Sequence, residues 1–525
     1  MTNIPTPPDD YLKALPKPLP KTLPKTLGEL KQFGYQHRSV KMEMRENLLQ
    51  MLRDGKTPFA GIVGFEKTVL PQLYNAVLSQ HNFILLGLRG QAKSRILRQL
   101  VNLLDEYIPA IVGSPLNESP LEPVTKKSQK LVAEHGDKLE IRWIHRDERY
   151  QEKLATPDVS IADLIGDIDP IKAAREKLDI SDVEVINWGI IPRTNRGIFA
   201  INEAPDLQPR IQVGLLNILE ESDIQVRGFP FRAPLDIQLV FTANPEDYTN
   251  RGNLITPLKD RIDSQIITHY PKSVADAAKI TEQEAWTDRP NEIVMPQFIK
   301  ELVEEVAVRA RESEYVDQTS GVSARVSITA YENLLSAVER RAALNNERDM
   351  YPRMSDLYAM LPALTGKIEL VYEGELEGPT LVANNMIGKA IHKAFLRVFP
   401  EPLKSLRRYD HATSPLDQLE PKAPSSNPFE PVTDFFGSGM KLELSDTAPL
   451  KQYHATLDSI AGLQEIVKKH FQPADDGETY LRMEFVLEGL HQCNVLAKEV
   501  QDANFQYSDM LANMLRDVEV DSDSQ

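Results

Sequence analysis

The chain has 525 residues, with 60 lysines and arginines against 77 aspartates and glutamates, which gives a formal net charge of −17. The length exceeds one ordinary domain, and the acidic balance argues against nucleic-acid binding by bulk charge, because such binding needs a basic face. The single cysteine, Cys493, excludes an internal disulfide framework and a cysteine-based zinc finger. With no apolar run of membrane-spanning length and no signal-like N-terminus, we expect a cytoplasmic protein.

Residues 1–38 are predicted to form a proline-rich, flexible tail. Within it, Leu15–Leu27 repeats the triplet LPK every four residues. Proline at this density favours an extended polyproline II conformation. A solvated leader is the simpler interpretation, and a docking peptide for a partner is the alternative.

Residues 39–272 are predicted to form an α/β domain. Met42–Arg53 has the apolar spacing of a helix. Three short apolar runs, Asn82–Gly87, Gly197–Asn202 and Ile237–Asn244, are typical of buried parallel strands, and helical patterns follow the first two. This alternation predicts a parallel sheet with helices on both faces.

The second half of the chain is predicted to be mainly helical. Three- and four-residue apolar spacing favours a helical domain at residues 273–400. A proline-rich linker is predicted at residues 401–436, since His411–Val432 contains five prolines and few apolar residues. Residues 437–525 are predicted to form a C-terminal helical region with an acidic end.

The segment FILLGLRGQAKSR, residues 83–95, predicts a phosphate-binding loop. A strand runs into Gly87, and Gly90, Lys93 and Ser94 follow at the spacing of the P-loop pattern GxxxxGK[ST], before a helix. Backbone amides of such a turn face phosphate groups. Lys93 is expected to contact the β- and γ-phosphates, and Ser94 to offer its hydroxyl to Mg²⁺.

Ala92 departs from this pattern, which has glycine at that position. Alanine fits at little cost if its backbone dihedrals are nearly helical, whereas a positive φ requires glycine. The alternative interpretation is a glycine-containing strand–helix turn that binds nothing.

Polar residues at the ends of two later apolar runs extend the candidate site. Asn202 and Glu203 end one run, where open α/β sheets bind ligands. Glu203 is the candidate base that activates water, and Asn202 could hydrogen-bond a water on Mg²⁺. Asn244 ends the next run and could orient the attacking water. The alternative is that Asn202 and Glu203 cap the following helix.

Two arginines are candidates for contacts with the γ-phosphate. Arg261 lies in TPLKDRI, after a helix-like approach, and Arg325 lies in SGVSARVS, at the predicted start of a helix. Either arginine alone could be a surface ion pair. The interpretation depends on the order and spacing of all five segments.

That order resembles the AAA+ ATPases, in particular the branch of the magnesium-chelatase ATPase subunit and the MoxR-type ATPases. The resemblance covers residues 59–334 and is most specific in residues 158–271. There, IADLIGDIDP, NWGIIPRTNRGIFAINEAPDL, QVGLLNILEESDIQVRGFPFRAPLDIQLVFTANPED and LKDRI occur in the family's order. It implies an AAA+ P-loop sheet followed by an all-α lid, with ATP and Mg²⁺ as ligands.

The resemblance also implies a role for each matching residue. Glu203 would activate the attacking water, and Asn244 would be the first sensor. Arg261 would be the finger that acts on the neighbouring subunit's ATP, and Arg325 the second sensor, on the lid. Ser94 and, through water, Asn202 would hold Mg²⁺. The residues that would contact the nucleotide are Ile62, Val63, Gly87, Gly90, Gln91, Ala92, Lys93, Ser94 and Arg95. Arg193 and Arg196 are further candidates for the subunit interface.

An arginine that acts in trans requires an oligomer, and the resemblance implies a ring, usually a hexamer. The favoured function is a MoxR-type motor that remodels a separate protein with a von Willebrand A domain. One alternative is the magnesium-chelatase ATPase subunit, which drives Mg²⁺ insertion into protoporphyrin. Another is a nucleotide-dependent scaffold with little hydrolysis. A σ54-type activator is disfavoured because no GAFTGA sequence occurs.

Overall fold

A computed structural model describes residues 23–169, 171, 174–175, 185–226, 232–245, 254–400, 427–501 and 504–510. The chain divides into two compact units, Met1–Tyr270 and Pro271–Gln525. Each unit has hydrophobic cores of its own.

The first unit contains the strands and helices that carry the predicted site. Its strands are β1 Phe83–Leu86, β2 Tyr107–Ile111, β3 Ile141–His145, β4 Tyr150–Leu154, β5 Gly166–Ile168, β6 Ile186–Trp188, β7 Gly197–Asn202, β8 Asp223–Gln225, β9 Arg232–Pro234, β10 Ile237–Ala243 and β11 Ser264–Ile267. Its helices are α1 Leu27–Phe33, α2 Val40–Arg53, α3 Val69–Leu78, α4 Lys93–Gln99, α5 Lys126–His135, α6 Ile161–Leu164, α7 Ile190–Arg193, α8 Pro209–Gly214, α9 Leu216–Glu220 and α10 Thr256–Arg261.

A five-stranded parallel sheet forms the centre of this unit, in the order β11–β1–β10–β7–β4. Its register places Leu86 beside Ala243 on one side and Ile267 on the other. At the far edge, Asn202 lies beside Leu154. The carboxyl ends of the strands therefore meet along one edge, where parallel α/β sheets bind ligands.

Both faces of the sheet are covered. Phe83 and Leu85 of β1 belong to a core shared with α2, α3 and α4, whereas Ile84 and Leu86 belong to a second core shared with α8, α9 and α10. Successive side chains of a strand point to opposite faces, so the two cores lie on opposite sides of the sheet. The predicted α/β class, a parallel sheet with helices on both faces, is confirmed.

The predicted tail at residues 1–38 extends too far toward the C-terminus. Helix α1 begins at Leu27, where the Thr26 hydroxyl accepts from the amide of Glu29, and Leu27 is buried. The Trp143 indole donates to the carbonyl of Pro24 at 2.7 Å, which fixes the segment before the helix. Order therefore begins well before residue 39, and the remaining repeats in residues 15–22 lie outside the described residues.

The second unit is mainly helical. Its helices are α11 Val274–Glu284, α12 Gln297–Glu312, α13 Ala324–Asn345, α14 Leu361–Lys367, α15 Tyr372–Glu377, α16 Pro379–Val398, α17 Glu430–Gly437, α18 Leu450–Asp458, α19 Leu463–Phe471 and α20 Asp476–Gln492. Its strands are β12 Leu442–Ser445, β13 Leu496–Gln501 and β14 Asn504–Asp509. In the described residues no helix is both long and apolar enough to cross a bilayer.

One hydrophobic core joins the lid segment to the C-terminal region. Val303, Leu334 and Ile387 from residues 273–400 share it with Phe436 and Phe485 from the C-terminal part. The two segments therefore form one compact unit rather than two.

Two further features of the C-terminal part differ from the sequence expectation. It contains a three-stranded antiparallel sheet in the order β12–β14–β13, in which β12 lies between α17 and α18 and the other two strands follow α20. Residues 430–436, predicted as part of the linker, belong to helix α17. Val432 and Phe436 are buried in the core there, so the linker prediction is too long. Residues 401–426 of that linker lie outside the described residues.

Candidate functional site

The turn between β1 and α4 has the geometry of a phosphate loop. A Cβ atom at Gly87 would lie 1.9 Å from Thr268 Oγ1 and 2.1 Å from Gln91 Oε1, so only glycine fits there. These two side chains bond to each other, because Thr268 donates to the buried Gln91 at 2.7 Å. Gly90 has φ +74°, in the region that favours glycine. Thr268, which follows β11, was not evident from the sequence.

Ala92 is strained. Its φ of 55° and ψ of 15° lie in the left-handed region, directly before the first residue of α4. The sequence analysis predicts that alanine fits here at little cost only if its dihedral angles are nearly helical. The observed angles do not meet this condition. A non-glycine residue in this region costs about 1 kcal/mol. The backbone at position 92 thus has the left-handed conformation that favours glycine, the residue found there in the P-loop pattern.

The ammonium of Lys93 links the phosphate loop to Asn244, the residue that follows strand β10. Its Nζ atom donates to the carbonyl oxygens of Gly87 and Leu88, the latter at 2.9 Å, and to Asn244 Oδ1 at 2.8 Å. Ser94, the next residue of α4, is half-buried beside it. The structure therefore brings the predicted phosphate residue and the predicted first sensor into direct contact.

Strand β7 ends in a second constrained turn. Glu203 has φ +57°, and its backbone amide donates to the Thr242 hydroxyl at 3.0 Å. That hydroxyl donates in turn to Asn202 Oδ1 at 3.3 Å. The side chain of Glu203 makes no capping bond to the short helix that follows. Left-handed backbone at a non-glycine residue is frequent at functional sites, and here it occurs at the candidate base.

A third group of side chains lies beside Asn202, and the sequence patterns do not reveal it. Glu152 of β4 pairs with Arg98 of α4, whose Nη2 atom lies 2.6 Å from Glu152 Oε1. Tyr150 donates to Glu152 Oε2 at 3.0 Å, and the strand register places Asn202 beside Leu154, two residues further along β4. Burial raises the pKa of Glu152, but the Arg98 charge and these hydrogen bonds outweigh burial and lower the pKa below its usual value.

The segment predicted to flank adenine is attached to the end of the phosphate-loop helix. Gln99 donates to the carbonyl of Ala60 at 2.7 Å, and Asn102 donates to that of Pro58 at 2.9 Å. Ile62 is buried and Val63 is half-buried. These bonds hold the segment against the same helix that begins with Lys93.

The candidate interface arginines differ in exposure. The Arg261 guanidinium donates to Glu220 at 2.7 Å and to the carbonyl of Pro257 at 3.0 Å, with 29% of its side chain exposed. Arg193 is exposed at the end of α7. Arg196 is buried and donates to the carbonyl of Pro109 at 2.6 Å, so its assignment to a subunit interface is wrong.

Arg325 lies in the second unit. It is exposed in the first turn of α13, which begins after the N-cap residue Ser323 as the sequence indicates. The structure therefore supports its place at a helix start, and its role as second sensor stays a prediction.

A buried charge network supports the opposite end of the sheet. The Arg149 guanidinium bonds to the Glu43 carboxylate at 2.7 and 2.6 Å, and both side chains are buried. Asp236 accepts from the Val40 amide at the start of α2, at 3.0 and 2.9 Å. Burial raises the pKa of Asp236 to about 6, against the opposing effects of the Val40 amide and Arg196.

The donor set fits a nucleoside triphosphate with Mg²⁺ better than a protein-held metal ion. In the described ranges no group of three or more histidine, cysteine, aspartate or glutamate side chains could hold a metal. The turn instead offers an ammonium group from Lys93, a hydroxyl from Ser94 and a glycine-dependent backbone cradle. Mg²⁺ commonly binds in this way, with substrate phosphates, waters and few protein ligands.

No protein-family model and no curated protein matches the chain. Among solved structures, it is similar to the BchI–BchD complex of magnesium chelatase, with 21% identity over 61% of this chain and 98% of that chain, at a TM-score of 0.33. It is similar to Hsp104 with ATPγS and FITC casein, with 13% identity, coverage of 63% and 52%, and a TM-score of 0.33. It is also similar to NtrX from Brucella abortus, with 12% identity over 54% of each chain and a TM-score of 0.31.

The chain spans about half the length of the NtrX and Hsp104 chains. All these TM-scores are too low to support an argument about function.

Proposed function

We propose that this chain is an AAA+ ATPase that binds and hydrolyses ATP. The observation that carries the proposal is the contact of Lys93 with Asn244, at the sheet edge where Asn202 and Glu203 also lie. The phosphate loop, the end of β7 and the residue after β10 are far apart in sequence, and we expect all three to contact one triphosphate.

The roles follow from the chemistry of each group. Amides of the turn and the first turn of α4 would bind phosphate oxygens, with Lys93 on the β- and γ-phosphates in place of its present carbonyl acceptors. Glu203 would take a proton from the attacking water, which the Asn244 amide orients. Mg²⁺, held by Ser94 and through water by Asn202, would neutralise developing negative charge.

The finer assignment rests on the segment order in residues 158–271. It supports the MoxR and magnesium-chelatase branch, a hexameric ring, and a separate von Willebrand A domain protein as the remodelled partner. Partial exposure of Arg261 is compatible with a finger that reaches an adjoining subunit's ATP. Magnesium chelation itself is the alternative activity, and a chelation assay with partner subunits separates the two.

A scaffold with little hydrolysis is the second candidate, and two observations favour it. Ala92 strains the phosphate loop, and Asn202 brings no charge to the Mg²⁺ side. Such a chain would bind ATP without appreciable phosphate release.

The test measures ATP binding by calorimetry and phosphate release on the full chain. Lys93→Ala is expected to abolish binding, whereas Lys279→Ala, an exposed lysine on α11, is the matched control and should bind as wild type. Unchanged ATP affinity in Lys93→Ala would refute the proposal. Tight binding without phosphate release by wild type would favour the scaffold.

A further inference from the structure

The three residues after strand β11 contact the phosphate loop and the strand that leads into it. The Thr268 amide donates to the carbonyl of Leu86 at 2.7 Å, and the Thr268 hydroxyl lies 2.7 Å from Gln91 Oε1. The Tyr270 hydroxyl donates to the carbonyl of Arg89 at 3.0 Å. Because β11 and β1 are parallel neighbours, the segment that follows β11 leaves the sheet beside the loop that follows β1.

The position of Tyr270 is itself fixed by its neighbour His269. The Nδ1 atom of His269 donates to the carbonyl of Tyr270 at 2.8 Å, because a carbonyl oxygen only accepts. The other ring nitrogen, Nε2, lies 2.7 Å from the hydroxyl of Thr68, the residue before α3. The rings of His269 and Phe65 pack edge to face, with centroids 5.0 Å apart. The segment after β11 therefore contacts both the phosphate loop and the stretch that follows the predicted adenine segment.

The Tyr270 bond sets the direction of one amide in the phosphate loop. The carbonyl of Arg89 and the amide of Gly90 belong to the same trans peptide group, in which C=O and N–H point in opposite directions. A hydroxyl that holds the Arg89 carbonyl therefore directs the Gly90 amide away from Tyr270. Gly90 has φ +74°, and backbone with left-handed residues of this kind presents amides to anions.

Two other carbonyls of the loop have a donor of a different kind. Those of Gly87 and Leu88 accept from the Lys93 ammonium, the latter at 2.9 Å. The proposed function moves this ammonium from the carbonyls to the phosphates. The Tyr270 hydroxyl is uncharged and has no such role, so we expect its bond to Arg89 to remain when ATP is bound.

We propose that Tyr270 is a positioning residue for ATP, whose hydroxyl holds the Gly90 amide in place to bind a phosphate oxygen. The proposal rests on the proposed ATPase function. The hydroxyl acts through the backbone of the loop rather than on the reacting atoms. Its loss should therefore weaken ATP binding and leave the chemical step nearly unchanged.

The experiment compares Tyr270→Phe with wild type in the full chain, by calorimetry with ATP and Mg²⁺ and by phosphate release. ATP affinity should fall about three- to tenfold, which is the range of one hydrogen bond. The KM for ATP should rise by the same factor while kcat stays within about twofold, because binding is lost equally in the ground state and the transition state. Tyr372→Phe, at an exposed tyrosine of α15, is the matched control and should behave as wild type.

Thermal unfolding without nucleotide separates positioning from stability. The bond lies at the surface, so we expect Tyr270→Phe to unfold at nearly the same midpoint as wild type. If the hydroxyl only stabilised the fold, the variant would have a lower midpoint, a lower binding stoichiometry and a lower kcat, with Kd and KM unchanged. That result, or an unchanged affinity with an unchanged midpoint, overturns the role of Tyr270 and leaves the ATPase assignment intact. A wild-type chain that binds no ATP overturns both.

Discussion

Lys93 Nζ donates to Asn244 Oδ1 at 2.8 Å, although the two residues are 151 positions apart. The contact follows from sheet topology, because β1 and β10 are parallel neighbours with Leu86 paired to Ala243. The next residues of both strands leave the sheet at the same edge. The chain therefore places a phosphate-binding cation and a water-orienting amide together without any local sequence signal that connects them.

Asn244→Ala should separate binding from hydrolysis. Lys93 keeps its two carbonyl acceptors in the variant, so ATP affinity is expected to change by less than about tenfold. Loss of one oriented polar group at a reacting centre typically costs about a hundredfold in kcat. Phosphate release at saturating ATP is the measurement, with Asn291→Ala, at an exposed asparagine, as control. An unchanged kcat would remove Asn244 from the site.

Ala92→Gly should stabilise the protein. The present φ of 55° costs about 1 kcal/mol for alanine and little for glycine, although glycine also gains entropy in the unfolded chain. We expect a net gain of a few tenths to about 1 kcal/mol in denaturant unfolding. Ala343→Gly, at an exposed position of α13, is the matched control and should instead lose about 1 kcal/mol. Equal losses in both variants would contradict the strain at Ala92.

Arg261→Ala should retain ATP binding and lose hydrolysis by about 10³-fold, as for removal of an arginine finger. If the arginine acts on a neighbouring subunit, mixing this variant with Lys93→Ala should restore activity, because each supplies what the other lacks. Phosphate release against mixing ratio is the measurement. Mixtures that stay inactive would mean that Arg261 acts within its own subunit or only pairs with Glu220.

The sequence was most informative where a motif coincides with the end of a strand. Lys93, Glu203 and Asn244 follow apolar runs, and parallel strands bring such ends to one edge, so their proximity could be predicted. The bond of Thr242 to Asn202 and the pairing of Glu152 with Arg98 could not be predicted, because they depend on the strand order and on the register between β4, β7 and β10. Along a single strand, the sequence shows only the alternation of side chains between the two faces of the sheet. That alternation does not identify the neighbouring strand.

Two errors had local causes. The C-terminal boundary of the predicted tail is wrong because the nearby prolines dominate the composition. Thr26 and Glu29 nevertheless have the spacing of a helix N-terminus. The antiparallel sheet of the second unit was missed because β13 contains alanine, lysine and glutamate, which favour helices. Pairing with β14 over six residues outweighs that local preference.

Asp236→Asn should change the dependence of stability on pH. Burial raises the folded-state pKa of Asp236 to about 6, and the charged groups around it include Arg196, Arg149, Glu43 and Lys41. A raised pKa means that the folded chain binds this proton more tightly than the unfolded chain. The stabilisation is therefore complete below the unfolded pKa of about 4 and is lost as pH rises through about 6.

Relative to wild type, the Asn variant should gain on the order of 2–3 kcal/mol between pH 4 and pH 7, since its amide does not titrate. Urea unfolding across this range is the measurement. Asp260→Asn, at an exposed position of α10, is the control for removal of a carboxyl at the surface. Parallel profiles for wild type and Asp236→Asn would show that the buried carboxyl does not titrate in this range.

Gly489→Ala should destabilise the second unit, because α20 packs closely on α16 at this position. A Cβ atom at Gly489 would lie 2.1 Å from the ring of Phe395, whose side chain is fully buried against Phe429 and Phe485. The ring cannot turn away without disturbing these neighbours, so we expect a loss of about 1–3 kcal/mol, as for other overpacked cores.

Gly437→Ala at the end of α17 is the matched control, since nothing lies within 4 Å of a Cβ atom there. Thermal unfolding should show a lower midpoint for Gly489→Ala alone. Equal midpoints would mean that the C-terminal helix does not share a tightly packed core with α16, and that the second unit consists of separable parts.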